Sequence, residues 1–269
     1  VTPFDIVTVT HNSAHEVTKL LQSVTDHAPH AHVIVVDAAS TDDSAERARE
    51  WAAEVIELGD NPGFGAANNV GVEHAKHDVT ALLNPDVELL DDGLTRLADR
   101  ARRTPDALLA PRLLNQDGTI QDSAHPTPGT RGEVLRALFP PARAKPWRAT
   151  QRTTVGWAVA AALVGRTELL RRLGPFDPDA FLWYEDMDLC LRAQAVELHP
   201  DVALRHTGGH STTDDFEARA RRRREVVEAR LGTRARRRDD LAQGITFAAA
   251  ATAKPRARAQ LRALLRARG

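Results

Sequence analysis

HVIVVDAASTDDSAERAREWA, residues 32–52, is the stretch whose reading decides the fold. Its opening HVIVVD (32–37) is a continuous apolar run closed by a carboxylate, the pattern of a strand covered on both faces rather than one alternating between core and water. SAERAREWA (44–52) then reads as a helix. The same alternation lies on either side. FDIVTV (4–9) is strand-like, and Val17, Leu20, Leu21 and Val24 follow at helical spacing. VIEL (55–58) leads through a Gly/Asn-rich turn to a helix from about Ala66, and VTALLN (79–84) closes the series. Strands separated by helices at this interval predict an α/β protein with a mostly parallel central sheet and helices on both faces. In such a sheet ligands bind beyond the carboxyl ends of the strands.

Those ends form a list of polar clusters: Thr10-His11-Asn12, Asp37, Asn61–Gly65 and Asn84-Pro85-Asp86. Asn, Pro and Asp are also turn formers, so any one cluster reads equally as a turn. A cluster at the end of every strand points to a site. Further on, a helix is expected over 94–101 and a strand over ALLAPRLL (107–114). Residues 115–154, rich in Pro, Gly, Thr and Arg, read as a long loop of the functional or disordered kind. VGWAVAAALVG (155–165) reads as one apolar strand, RTELLRRLG as a short helix, and the chain from 214 as a basic helical tail.

Composition narrows the classes. A chain of 269 residues, 42% hydrophobic, can bury a sizeable core. No apolar run approaches the ~18 residues of a membrane span, and the first residues carry no basic-then-apolar signal pattern, so a soluble cytoplasmic protein is expected. The single cysteine, Cys190, allows neither an internal disulfide nor a cysteine zinc site. The net charge of −1 divides unevenly: from Asp214 on there are 16 Lys+Arg against 7 Asp+Glu, and before it 20 against 30. Blocks such as Arg221–Arg224 and Arg236–Arg238 read as a solvated helical face or as a surface for anionic lipid. No nucleic-acid motif accompanies them, and none is expected to bind.

The chemistry follows by exclusion. A Rossmann domain needs G-x-G-x-x-G after its first strand, where this chain has THNSAH, and no P-loop occurs anywhere. NPGFGAANN (61–69) follows the third strand and lacks the third glycine. A nucleotide held by side chains, with its diphosphate neutralised by Mg²⁺ or Mn²⁺ at a strand-end carboxylate such as Asp86, remains. A base is then needed, and FLWYEDMDLCLR (181–192) offers three acids beside aromatic residues that can desolvate a carboxylate and raise its pKa. With a helix starting near Tyr184, Asp188 pairs with Arg192 and Glu185 sits in the first turn. Asp186 is left as the base.

Taken together, VTVTHN (7–12), VVDAASTDDS (35–44), NPGFGAANNVG (61–71), LLNPDVEL (82–89), FDPDAFLWYEDMDLCLR (176–192) and HTGGHS (206–211) resemble the family-2 glycosyltransferases, inverting enzymes of the GT-A fold, and especially their bacterial rhamnosyltransferase-like branch. The resemblance implies a glycosyltransferase domain over 1–213, with a nucleotide-binding half to about 115 and an acceptor half over 116–213, followed by a basic helical extension over 214–269. It implies that Thr10, His11 and Asn12 line the nucleotide pocket, with His11 where the family usually has Tyr. Asp37 would contact base or ribose, Asn68 would lie near the nucleotide sugar, and Asn84, which opens the Asn84-Pro85-Asp86 version of the metal-binding acidic motif, would also bind the nucleotide. Asp86 would be the main metal ligand and His206 a second. Glu185-Asp186 matches the family's Glu-Asp pair, Asp186 deprotonating the acceptor. Two departures stand out: Ala38-Ala39 where Asn-Gly is usual, and Ala160 where a glycine is common.

The implied reaction moves a sugar, rhamnose from dTDP-rhamnose in this branch, from a nucleoside-diphosphate sugar to a hydroxyl of a glycan or polyprenyl-diphosphate-linked acceptor in cell-envelope polysaccharide synthesis. The basic tail would hold the enzyme at the inner face of the membrane. The rival readings are a nucleotidyltransferase and a non-catalytic nucleotide-sugar-binding module.

Overall fold

The computed structural model describes residues 2–51, 53–139, 145–174, 176–177, 183–208, 215–251 and 254–267. The ends of several sequence motifs (Ala52, 178–182 and 209–211), and the expected domain boundary at 213/214, lie outside the described residues. The chain divides into two compact units, Val1–His125 with Pro146–Gly208, and Pro126–Lys145 with Gly209–Gly269.

The first unit is built on β1 (Asp5–Thr10), β2 (His32–Asp37), β3 (Glu54–Glu57) and β4 (Val79–Leu83), all parallel, linked by helices α1 (Ala14–His27), α2 (Ser44–Glu50) and α3 (Phe64–His74). These elements fall within a few residues of their sequence-read positions because each is punctuated by a polar turn. Beyond β4 come β5 (Val87–Leu89), α4 (Gly93–Arg102), β6 (Ala107–Leu114), β7 (Ala124–His125), β8 (Thr153–Val155), β9 (Trp157–Ala158), β10 (Ala162–Arg166), α6 (Thr167–Leu173), α7 (Glu185–Arg192) and β11 (Ala195–His206). The main sheet has nine strands in the order β3-β2-β1-β4-β10-β6-β11-β5, with β8 on β11, and β7 pairs with β9 apart from it. Strands β10, β5 and β8 run antiparallel to their neighbours, so the sheet is mixed but mostly parallel.

Why α3 lies so close to the sheet is written in its glycines. A Cβ on Gly71 would sit 2.3 Å from Val7 Cγ1, and one on Gly65 would sit 2.8 Å from Phe176 Cβ. Both positions need a bare backbone for close approach. Gly65 and Gly71 of NPGFGAANNVG therefore act in packing, while Gly63 caps α3 with a φ of +93°.

Two expectations are corrected. The run 155–165 is not one strand: it leaves β8, pairs briefly with β7 as β9, turns through 159–161 and re-enters the main sheet as β10. An uninterrupted Ala/Val run carries no punctuation to reveal this turn. The long loop also holds structure. Residues 131–138 form α5 (Arg131–Leu138), started by Thr130, whose hydroxyl accepts from Glu133 N while Glu133 accepts from Gly129 N at 2.6 Å. This is a capping-box sequence, Thr-x-x-Glu.

In the second unit α5 packs on α9 (Thr233–Ala251), which also packs on α8 (Phe216–Leu231) and α10 (Pro255–Arg266). Residues 126–145, which the sequence reading places in the acceptor half, cluster with these helices. Part of the basic character is internal. Arg223 makes a two-pronged pair with buried Asp239 at 2.8 and 2.7 Å, and buried Asp240 holds Arg224 at 2.8 Å and Arg236 at 3.1 Å. Bidentate, charge-assisted pairs of this kind fix helix register. The arginine blocks are thus not wholly a solvated face. No helix among the described residues is long and apolar enough to cross a membrane.

Candidate active site

The parallel register sets Thr10 beside Asp37 at the carboxyl ends of β1 and β2, with Asn84 just past the end of β4 beside them. Thr10 Oγ1, Asp37 Oδ1, Asn84 Oδ1 and Asn68 Oδ1 are buried atoms with no hydrogen-bond partner among the described residues. Leaving one buried polar atom unpaired costs about 1–3 kcal/mol. Thr10, Asp37 and Asn84 stand together at the carboxyl end of the sheet, where their unpaired oxygens are open to a polar partner. Asp37 is 3% exposed, and its other oxygen accepts Ser40 N at 3.0 Å, so one lobe is fixed and the other is free for a donor. Asn68, in α3, donates to Phe64 O at 2.9 Å and keeps its oxygen unpaired.

The turn after β1 is stitched to the turn after β2. His11 Nδ1 meets Ala38 O at 2.7 Å, Asn12 N donates to Ser40 Oγ, and Asn12 Oδ1 accepts from Thr41 N at 2.7 Å. Ser13 N and Ala14 N, at the start of α1, donate to Ser44 Oγ and Asp42 Oδ2. Burial pushes Asp42 up, but bonds from Ser44 and Ala14 outweigh it and hold the carboxyl below its ordinary value. Asn12 and His11 are thus engaged in holding these two turns together. Asp42 and Ser44, which the sequence reading passed over, do the same. Ala39, at the family's usual glycine position, adopts φ +55°, a left-handed conformation that favours glycine.

Asp86 lies just past β4, with side chain 9% exposed. Its Oδ1 is 3.3 Å from His206 Nε2 at the end of β11, and its Oδ2 accepts Gly208 N at 2.8 Å. The antiparallel pairing of β11 with β5, His206 opposite Val87, brings them together. Burial alone would raise Asp86, but the His206 ring and the Gly208 amide hold it below the usual carboxylate range. His206 Nδ1 in turn meets Gln121 Oε1 at 2.8 Å, which orients the ring with Nε2 toward the carboxylate. Gln121 carried no signal in the sequence. A carboxylate with an oriented imidazole matches the donor set of a divalent-cation site.

Helix α7 supplies the acids. Trp183 and Tyr184, immediately before it, have φ +74° and +59°, and two consecutive left-handed non-glycine residues store strain of about 1–3 kcal/mol each. Asp188 pairs with Arg192 at 3.0 Å and is buried, which accounts for it structurally. Glu185, 8% exposed, occupies the first turn. Asp186 Oδ2 lies 3.4 Å from Ala160 N, and Ala161 O accepts Asn84 N at 2.9 Å. One residue step and one backbone hydrogen bond therefore connect the Asp186 carboxylate to the Asn84-Pro85-Asp86 turn. The β9–β10 turn that sequence reading missed is the bridge. Aromatic groups flank it: Trp157 stacks on His125 with centroids 4.1 Å apart and meets Tyr184 edge-on at 6.3 Å.

Asn69, also unforeseen, donates to Phe176 O and accepts Phe176 N, both at 2.8 Å, and so anchors the segment after α6 to α3. A separate cluster of Asp5, His32 and His77 lies at the amino ends of β1, β2 and β4, the opposite sheet edge from Asp86.

Comparison with known proteins bears on the family and the fold. A low-salt glycan biosynthesis hexosyltransferase, Agl10, of Haloferax volcanii is 25% identical over 204 residues, 72% of this chain and 62% of that protein. An N-acetylglucosaminyl-diphospho-decaprenol L-rhamnosyltransferase of Mycobacterium tuberculosis is 28% identical over 239 residues, 78% of each chain. The chain thus spans somewhat under two thirds of the first relative and more of the second. Among solved structures, the mannosyltransferase PcManGT from Pyrobaculum calidifontis, in complex with GDP-Man and Mn²⁺, superposes with a TM-score of 0.63 at 17% identity, covering 98% of this chain and 85% of that one. That likeness establishes the GT-A fold. Residues 5–160, more than half of the chain, match the model of glycosyl transferase family 2, and the chain belongs to that family.

Proposed function

We propose that this protein is an inverting hexosyltransferase that transfers a sugar from a nucleoside-diphosphate sugar to a hydroxyl of a lipid-linked or glycan acceptor in cell-envelope polysaccharide synthesis. The observation that supports the proposal is the link from Asp186 through Ala160 and Ala161 to Asn84, which ties the candidate base to the turn that carries Asp86, the candidate cation ligand. The unpaired oxygens of Thr10, Asp37, Asn68 and Asn84 supply acceptors for the nucleotide and its sugar. Asp86 and His206 would hold Mg²⁺ or Mn²⁺, which as a Lewis acid stabilises negative charge on the departing diphosphate.

In this mechanism the Thr10–Asn12 and Asp37 turns orient the nucleotide, and Asp186 accepts the proton of the acceptor hydroxyl. The acceptor oxygen forms a bond to the anomeric carbon from the face opposite the diphosphate. The bond from that carbon to the diphosphate oxygen breaks with its electron pair, inverting the centre. Holding the partners in line is the larger share of the work. Glu185, beside the base, supports the α7 amino end. The M. tuberculosis relative, an L-rhamnosyltransferase named for a diphospho-decaprenol sugar, makes a polyprenyl-diphosphate-linked sugar the first acceptor to test and rhamnose the first sugar, with dTDP-rhamnose as the donor the sequence resemblance implies.

The second unit suits the inner face of an anionic membrane. It exposes Leu135, Leu138 and Phe139 at 56%, 53% and 63%, together with arginines such as Arg221. Apolar insertion and basic attraction add at such a surface. Equal partition onto neutral and anionic vesicles would remove this part of the reading.

The test is thermal stabilisation by a panel of nucleotide sugars with and without Mn²⁺ or Mg²⁺. The expected result is a donor-selective, cation-dependent rise in Tm that Asp86→Ala abolishes. An unchanged cation dependence in Asp86→Ala would remove Asp86 from the metal site. Donor binding with no nucleoside diphosphate release for any acceptor would favour a binding module, and pyrophosphate release when a nucleoside triphosphate and a sugar 1-phosphate are supplied instead would favour a nucleotidyltransferase.

A further inference from the structure

We propose a second metal site, for a transition-metal ion such as Zn²⁺, at the sheet edge opposite the active site, formed by Asp5, His32 and His77. Asp5 opens β1, His32 opens β2, and the parallel register pairs them directly. His77 lies in the connection from α3 to β4. Residues 27 and 72 positions apart in sequence are thus brought to one point by the β1–β2 register and the turn into β4.

Asp5 is the centre of the cluster. The residue is fully buried, and its Oδ2 accepts the backbone amides of Lys76 at 2.9 Å and His77 at 2.6 Å, fixing the carboxylate plane. Its Oδ1 is left facing His32 Nδ1 at 2.8 Å and His77 Nδ1 at 3.0 Å. All three ligand atoms lie within 4.8 Å of one another. Ligand atoms about 2.0–2.1 Å from a tetrahedral Zn²⁺ ion stand about 3.3 Å apart, so the two hydrogen-bonded O···N pairs need open by only about 0.3–0.5 Å to admit one. Both rings are about a quarter exposed, which leaves an approach for the ion and room for water as a further ligand.

A second, independent feature points the same way. His32 Nε2 lies 3.2 Å from Glu54 Oε2, and Glu54 is itself held by Lys76 Nζ at 2.6 Å. When an ion takes Nδ1, the ring proton moves to Nε2, where Glu54 accepts it. That carboxylate–histidine–metal relay is the usual outer support of a ligating imidazole. Two imidazoles and one carboxylate select Zn²⁺, Co²⁺ or Ni²⁺ over Mg²⁺, which requires oxygen donors and keeps its waters. The ion would clasp β1, β2 and the β4 entry, stabilising the sheet without touching the donor.

The test uses the full chain and Co²⁺ as a spectroscopic stand-in for Zn²⁺. The wild type is expected to bind one Co²⁺ with the visible absorption of a low-coordinate site, displaced by Zn²⁺ and not by Mg²⁺. His77→Gln and His32→Gln should each weaken binding at least about 100-fold, and Glu54→Gln about 10-fold. Asp86→Ala should keep the signal, which separates this site from the catalytic one. Metal-free melting curves report whether each variant folds. Absence of the Co²⁺ signal in the wild type, or its persistence in both folded histidine variants, would overturn the proposal.

Discussion

Gly71→Ala adds one methyl group where α3 meets β1, and the structure fixes what that methyl encounters. The new Cβ would stand 2.3 Å from Val7 Cγ1, 3.2 Å from Val36 Cγ2 and 3.3 Å from Val7 Cγ2. Comfortable carbon contacts are about 3.5–4.0 Å, so relief requires more than ~1 Å of helix displacement or a rotamer change at Val7. Val7 and Val36 are both fully buried, and neither has space to turn into. Overpacking of this severity costs about 3 kcal/mol, the upper end of the usual range. Replacing a helical glycine by alanine returns about 1 kcal/mol of helix propensity. The net expectation is a loss of about 2 kcal/mol in urea-denaturation stability. A double-mutant cycle sharpens the test. Val7→Ala alone should cost about 2 kcal/mol through lost burial and a cavity, but in the double variant the alanine methyl fills part of the space vacated. The pair should then be less destabilised than the sum of the singles by about 2 kcal/mol. A Gly71→Ala protein more stable than wild type, or strictly additive effects, would refute the claim that glycine is there for close packing.

Three further outcomes are expected. Burial, followed by the nearby Asp239 charge, pushes Glu133 up to about 7. A folded-state value above the unfolded one near 4.5 means the folded chain holds the extra proton, so stability falls as pH rises from about 4.5 to 7 and levels beyond. Glu133→Gln, which keeps an acceptor for Gly129 N, should flatten that slope and gain about 1–3 kcal/mol at pH 8; thermal melts at pH 5 to 8 showing an unchanged slope would contradict it. Ala39→Gly should relieve the left-handed φ and stabilise the protein by about 0.5–1 kcal/mol, read from the urea midpoint, whereas a destabilised variant would argue against strain there. Burial pushes the Cys190 thiol up to about 12, so a thiol reagent should modify it only after unfolding, and rapid labelling of the native protein would be inconsistent with its position.

Legibility in the sequence tracks punctuation. The strands β1 to β4 stand out because each apolar run ends in a polar turn, and those turns carry the candidate site residues, so Asp37 and Asp86 are singled out by the same reading as the fold. The run 155–165 has no such marks. Its turn at Ala160 is imposed by the fold, and with it the contact to Asp186 stays hidden. Helix α5 was legible in principle from Thr130-x-x-Glu133, but its surroundings are rich in Pro and Arg, which read as loop. Gln121 behind His206, Asn69 on Phe176 and the Asp5 cluster could not be read at all, because each depends on partners brought close only by strand register or packing.

The measurement that bears most directly on the central claim is a single-turnover comparison of wild type and Asp186→Asn with the donor identified by stabilisation. The account predicts that Asp186→Asn binds donor and cation as tightly as wild type while nucleoside diphosphate release falls by about 10²-fold or more, the scale of a lost general base. Release at the wild-type rate from a variant lacking that carboxylate would contradict it.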